Sequence, residues 1–254
     1  MLSKSQISLL KSLQHKKDRA EHGVFLAEGY KSVVEFIDSP YQLDTVYHTA
    51  SFDSKMLKLS RKINLTEISG SDMEKISSLK TPQDVAALIQ IPAWPAIDNA
   101  QSRQKFAIVL DGVQDPGNLG TIIRTADWFG ITSIICSADT VDAYNPKVVQ
   151  ASMGSLARVK LFYVDLEAVL PQINLPIFGA MLNGQSIYQT DFGSEGLILM
   201  GNEGNGVRPD IERLITKAVT IPGVGNAESL NVGIATAIFC SEISRNRNNK
   251  LVPQ

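Results

Sequence analysis

From residue 106 onward the apolar residues of this chain come in short unbroken runs, separated by segments of helical period. The runs 106–110, 131–136, 161–164, 177–181, 197–200 and 218–221 read as strands without polar alternation. A strand that is apolar on both faces must be covered on both. Strand–helix–strand units do this by laying helices on each side of a parallel sheet. The intervening segments supply those helices. They are 119–129, with Ile122, Ala126 and Phe129 on one face; 146–156, opened by Asn145 with Pro146 in the first helical position; 166–173; 209–215; and a long closing helix over 231–245. This part is therefore an α/β fold on a parallel sheet.

Upstream the pattern is that of a small mixed α/β unit. Residues 5–13 and 29–37 carry helical periods, and 24–27, 43–47 and 84–91 read as strands. Around 91–105, Pro92 and Pro95 are followed by a polar stretch without periodicity, which marks a linker. The chain divides into a domain over 1–95, a linker over 96–105 and a domain over 106–254. At 254 residues and 44% hydrophobic, it has apolar mass for one sizeable core or two modest ones.

Composition narrows the function classes. No apolar stretch is long enough to span a bilayer, so no membrane partner is expected. The first residues lack the apolar region and cleavage site of a secretory signal. Cys136 and Cys240 are far apart in apolar segments and read as reduced core thiols of a cytoplasmic protein, with no zinc spacing. The net charge of −2 argues against a broad, non-specific affinity for nucleic acid but leaves room for a local basic patch. Lys4, Lys11, His15, Lys16, Lys17 and Arg19 cluster near the start, and Arg245, Arg247 and Lys250 near the end. Each cluster reads either as a solvated helix face or as an RNA contact.

Three turns hold more Gly, Asn and acid than a strand-to-helix connection needs: 111–130, 200–211 and 221–237. All follow expected strands, and open parallel sheets bind ligands outside the carboxyl ends of their strands. None carries the G-x-G-x-x-G dinucleotide fingerprint or the P-loop pattern. Arg124 lies two residues past Ile122, about 200° round the helix, and points away from the apolar face. Taken singly, these polar residues have ordinary explanations. Arg124 is a solvated surface residue, Asn118 and Ser229 are helix N-caps, Glu203 is exposed in its loop, and Asn231 satisfies backbone groups at a helix start.

Taken together, the turns resemble the SpoU family of RNA 2′-O-ribose methyltransferases, TrmH-like members of the SPOUT superfamily. The first motif is Asp115-Pro116-Gly117-Asn118-Leu119-Gly120 with Arg124-Thr125-Ala126 and Phe129-Gly130. The second is Met200-Gly201-Asn202-Glu203-Gly204 with Gly206, and the third is Ile221-Pro222 with Ser229-Leu230-Asn231-Val232. The likeness covers residues from about 106 to 247, and residues 143–159 share it. Residues 23–37 are similar to the ribosomal-protein-like RNA-binding domain often fused ahead of this fold.

The resemblance implies a parallel-sheet SPOUT fold whose C-terminal part, from about 177 to 240, is tied in a trefoil knot, preceded by a small α/β RNA-binding domain. It implies S-adenosylmethionine as cofactor, no metal, and a homodimer. RNA is the implied partner, with ribosomal RNA ahead of transfer RNA. Gly201, Ile221 and Leu230, and more weakly Met181, match cofactor-contact positions. Arg124 matches the catalytic arginine, and Asn118, Glu203, Ser229 and Asn231 match the polar positions that order the site. The family casts the arginine as general base. A guanidinium stays protonated in proteins, which favours a grip on the phosphate beside the target ribose. Two other classes compete. One is a Rossmann-like or other nucleotide enzyme, weakened by the missing fingerprint. The other is a non-catalytic RNA-binding assembly factor, weakened by the intact Asn118, Arg124, Glu203 and Asn231.

Overall fold

The computed structural model describes residues 2–57, 59, 63–97 and 103–251, with side chains described up to 247. Linker residues 98–102 and the Lys250 side chain of the C-terminal basic cluster lie outside the described residues. Contacts divide the chain into two compact units. Unit 1 is Met1–Ala93 with Asp142–Arg158, and unit 2 is Trp94–Val141 with Val159–Gln254.

Unit 1 is built on strands β1 (Val24–Glu28), β2 (Leu43–His48), β3 (Asn64–Glu67) and β4 (Val85–Gln90) in the order β1-β4-β2-β3. β4 is antiparallel to β1 and β2, and β3 is parallel to β2. Helices α1 (Lys4–Ser12), α2 (Lys16–His22), α3 (Tyr30–Ile37) and α4 (Gly70–Ile76) accompany them. Ser3 opens α1 with a capping box: its hydroxyl accepts from the Gln6 N–H while the Gln6 side chain accepts from the Ser3 N–H. One core cluster joins Leu10, Leu13, Leu26, Tyr47, Met73 and Ile76. Helix α6 (Pro146–Ser152), from the second stretch of the unit, packs on β1, and the Tyr144 ring lies 4.8 Å from Phe25.

Arg19 departs from its place in the N-terminal basic cluster. It is buried, its guanidinium donating to the Leu13 carbonyl (2.7 Å) and to Asp142 (2.6 and 3.0 Å). A buried guanidinium spent on a carboxylate is not available to RNA. Helices α2 and α4 and strand β3 carry no sequence signal, because their polar composition leaves too little apolar periodicity to mark them.

Unit 2 carries a second sheet in the order β10-β8-β9-β5-β6-β7, with every described strand pair parallel, as the unbroken apolar runs demand. Its strands are β5 (Phe106–Leu110), β6 (Ser133–Ser137), β7 (Lys160–Val164), β8 (Ile177–Ser186), β9 (Gly196–Met200) and β10 (Lys217–Thr220). Helices α5 (Pro116–Trp128), α7 (Leu166–Ile173), α8 (Pro209–Glu212) and α9 (Val232–Leu251) connect and close it, with α9 packed along α5. The chain proceeds outward from β5 through β6 to β7 and then crosses to the other side of β5, so strand order reverses between β5 and β9. Such a reversal is where α/β sheets open a crevice at their carboxyl ends.

One irregularity marks that end. β8 pairs with β10 at Gly179 and again at Gln185, so 180–184 bulge out of the ladder. The strand continues to Ser186, past the expected end at Met181, because this bulge returns it to the sheet. Both cysteines are buried and free, and burial pushes the Cys240 thiol up to about 12 and the Cys136 thiol higher still. Among the described residues no helix is long and apolar enough to cross a membrane.

Candidate active site

The site begins where β5 gives way to α5. Asp115 is the N-cap, its carboxylate accepting from the Asn118 N–H at 2.8 Å, and Pro116 occupies the first turn. Asn118 is therefore inside the helix and not its cap. The helix starts earlier than expected because Asp115-Pro116 is itself a strong start signal. Freed from capping, the Asn118 side chain turns outward with both its polar atoms engaged. Its amide donates to the Glu203 carboxylate at 2.9 Å, and its oxygen accepts from the Asn231 amide at 2.9 Å.

Glu203 sits in the loop after β9. That loop folds back on itself: Asn202 and Gly206 exchange backbone hydrogen bonds of 2.8 and 3.0 Å, and Gly206 takes a φ of +69°. Gly201 makes the return possible, since a Cβ there would lie 2.3 Å from the Gly206 carbonyl carbon. Besides Asn118, the Glu203 carboxylate faces the backbone N–H groups of Gln114 and Asp115, both at 3.4 Å. Burial acts to raise its pKa, but the hydrogen bonds from Asn118 and from backbone N–H groups outweigh it, and the carboxyl sits below its ordinary range.

Asn231 precedes α9. Its side-chain oxygen accepts from the N–H groups of Gly233 (2.9 Å) and Ile234 (3.3 Å), so Asn231, and not Ser229, caps this helix. Ser229 lies two residues outside it on exposed chain. Asn231, Asn118 and Glu203 thus form a continuous line of side chains that ties together loops following β5, β9 and β10.

Arg124 lies on the same helix as Asn118, about 9 Å further along its axis. It is exposed and makes no hydrogen bond or ion pair among the described residues. Ile221, Met181 and Gly201 are half-buried, and Leu230 is 50% exposed. Among the described residues no hydrogen bond or shared core cluster joins Ile221, Leu230 and Met181 to one another. A half-buried Ile221 and a half-exposed Leu230 offer apolar surface suited to an adenine ring, and the backbone groups of the Gly201 loop suit its polar edges. The residues present fit the cofactor implied by the motifs.

Three residues to which the motifs assign no role complete the frame. Asn202 spans its own loop and the first: its amide donates to the Gly112 carbonyl at 2.6 Å while its oxygen accepts from the N–H groups of Gly204 and Asn205. Asp111, 1% exposed, accepts from the Arg208 N–H (2.8 Å), Nε (2.7 Å) and Nη2 (2.5 Å). This bonding, first of all, raises the Arg208 pKa. The only signal for the Asp111–Arg208 pair was an acid at a strand end and a base just past a Gly-rich loop. A separate small groove of about 160 Å³, lined by Ala96, Lys105, Ser133 and Lys160, lies at the opposite end of the sheet, away from these residues.

Comparison with known proteins agrees with this architecture. The SpoU rRNA Methylase family model matches residues 105–241, and a model of an MRM3-like substrate binding domain matches 4–87. The 23S rRNA (guanosine(2553)-2′-O)-methyltransferase RlmP of Bacillus subtilis is 30% identical over 235 residues, spanning 90% of this chain and 92% of its own. A solved structure of the TrmH family from Porphyromonas gingivalis is 40% identical, covers 96% of this chain and 99% of its own, and superposes with a TM-score of 0.86. An AdoMet-bound rRNA methyltransferase from Sinorhizobium meliloti is 29% identical, with 96% of each chain covered and a TM-score of 0.86. On the matched family model, the near-full-length relatives and the three tied loops, the chain belongs to the SpoU rRNA methylase family.

Proposed function

We propose that the chain transfers a methyl group from S-adenosylmethionine to a ribose 2′-hydroxyl of structured RNA, with ribosomal RNA ahead of transfer RNA. The observation that carries this reading is the Asn231–Asn118–Glu203 line, which holds three loops at the carboxyl edge of the sheet with Arg124 bare on the adjoining helix. The rRNA-directed names of the relatives support the choice of RNA.

The cofactor, when bound, supplies a methyl group on a sulfonium, already activated toward an oxygen nucleophile. The chain's task is to align the 2′-oxygen and ease loss of its proton. Arg124 grips the phosphate beside the target ribose through its planar fork. Asn118, Glu203, Ser229 and Asn231 order the loops and the ribose hydroxyls. Gly201, Ile221, Leu230 and Met181 line the cofactor. Residues 1–95 recognise the RNA, 96–105 connect, and 106–254 carry out the transfer. The trefoil knot over 177–240, a homodimer and a cytoplasmic location belong to the same reading. Exposed Ile234, on the outer side of α9, supports a second copy of the chain.

The test is incubation of the purified protein with methyl-labelled S-adenosylmethionine and deproteinised ribosomal RNA, followed by alkaline hydrolysis. Label in an alkali-resistant dinucleotide supports the reading. Label released as mononucleotide, or none in RNA from cells lacking the gene, overturns it. Comparing 2′-O-methylation maps of wild-type and deletion cells then names the nucleotide.

A further inference from the structure

Trp128 is the last residue of α5 and is 84% exposed. It makes no hydrogen bond or ring contact among the described residues. Tryptophan is seldom left bare, because its indole buries more apolar area than almost any other side chain. Its position adds meaning to the exposure. Gly117, Thr121, Arg124 and Trp128 are all exposed, and their spacing of four, three and four places them on one helical face. Arg124 and Trp128 are i and i+4, neighbours on that face about 6 Å apart along the axis. The stripe begins beside the Asn118 cluster and ends on a flat apolar ring.

We propose that Trp128 is a stacking platform for an RNA base next to the nucleotide whose phosphate Arg124 holds. It would thus be a specificity-determining contact of the same substrate. This rests on the proposed RNA methyl transfer. The pairing is chemically complementary: a guanidinium offers two parallel N–H groups to a phosphate, and an indole offers a π-face to a base. Unpaired bases splayed from loops and bulges are the elements that proteins read by such stacking. A mildly acidic protein without a broad basic footprint gains from a contact that depends little on charge.

Trp128 can report on itself. Only Trp94 accompanies it, so Trp94→Phe leaves Trp128 as the sole tryptophan. A difference spectrum between the wild type and Trp128→Ala gives the same signal if Trp94→Phe does not fold. Titration with deproteinised ribosomal RNA is expected to quench this fluorescence. Trp128→Ala is expected to weaken RNA binding about ten-fold, within the range for one lost base–aromatic stack, with the loss appearing in KM. Trp128→Phe should recover most of it. Affinity for S-adenosylmethionine, measured calorimetrically, should be unchanged.

Unquenched Trp128 in a protein that methylates RNA overturns the inference and leaves the reaction intact. So does Trp128→Ala with wild-type RNA affinity but an altered sedimentation coefficient, which would assign the ring to an interface between copies. Quenching without methyl transfer to any RNA would uphold the stacking contact and overturn the proposed reaction.

Discussion

The side-chain amide of Asn231 donates to the side-chain oxygen of Asn118 across 2.9 Å, joining residues 113 positions apart in the chain. Each belongs to a helix start, Asn118 to the first turn of α5 and Asn231 to the cap of α9. Helix starts carry partial positive charge, so the Glu203 carboxylate bonded to Asn118 is well placed there. Removing Asn118 therefore breaks two contacts at once. Asn118→Ala is expected to lower methyl transfer about ten-fold or more, the equivalent of one hydrogen bond to a charged group. Asn118→Asp keeps the acceptor for Asn231 but sets two carboxylates together. Its activity should recover partly on acidification, which a pH–rate profile reads.

Arg124 is exposed and bonded to nothing among the described residues, so its loss should not disturb folding. Arg124→Ala is expected to keep wild-type stability within about 0.5 kcal/mol and to retain cofactor binding while abolishing methyl transfer. Strong residual turnover would remove Arg124 from the reaction. Single-turnover rates across pH separate its two roles: a phosphate grip gives no titration attributable to the guanidinium.

Glycine at 201 is a steric requirement. Gly201→Ala would drive a methyl group into the Gly206 backbone, so the loop should open and cofactor affinity should fall at least ten-fold. Gly223→Ala is the control, since a Cβ there meets nothing within 4 Å. Calorimetric titration of both variants checks this, and equal affinities would contradict it.

The Glu203 carboxyl is held below its ordinary range, so it remains ionised throughout neutral pH. A depressed native pKa stabilises the folded loop above the unfolded pKa, and that contribution is lost as pH falls through the native value. Carboxyl chemical shifts should show a Glu203 midpoint below that of an unperturbed glutamate. A midpoint above it would mean that burial wins over the hydrogen bonds. Glu203→Gln should remove this acid limb from the loop's stability.

The Asp111–Arg208 pair fastens the start of the first loop, just after β5, to the end of the second, after β9. Arg208→Ala strands a buried carboxylate and is expected to cost about 3 kcal/mol, the low end for a broken buried pair because the guanidinium is half exposed. Arg208→Lys should restore part of it. Denaturant midpoints check the order, and an undisturbed Arg208→Ala would show the pair to be idle.

Much of unit 2 was legible because its strands are apolar on both sides, which leaves parallel pairing as the consistent outcome. The line through Asn118, Glu203 and Asn231 was visible only as motif positions. Nothing in spacing alone tells that the Asn118 amide meets a carboxylate 85 positions away. Several residues near each helix start could cap, and side-chain geometry decides: Asp115 caps α5 where Asn118 was expected, and at α9 the expected backbone role of Asn231 holds while that of Ser229 does not. Arg19 failed the surface reading because its partner, Asp142, arrives from a distant stretch of chain. Asp111 and Arg208 carry no motif signal and Asn202 stands in its motif without a role, since polar bonding between loops leaves no periodic trace.

Unit 1 is assembled from two separate stretches of the polypeptide, and this bears on how the protein can be dissected. A fragment ending near residue 93 would omit the second stretch. Its Arg19 would lose Asp142 and retain an unbalanced charge, and Phe25 would lose the ring of Tyr144. Such a fragment is expected to be aggregation-prone and a poor probe of recognition. A faithful version would splice 142–158 back on through a short tether, so that the excised piece regains the lid it borrows from downstream.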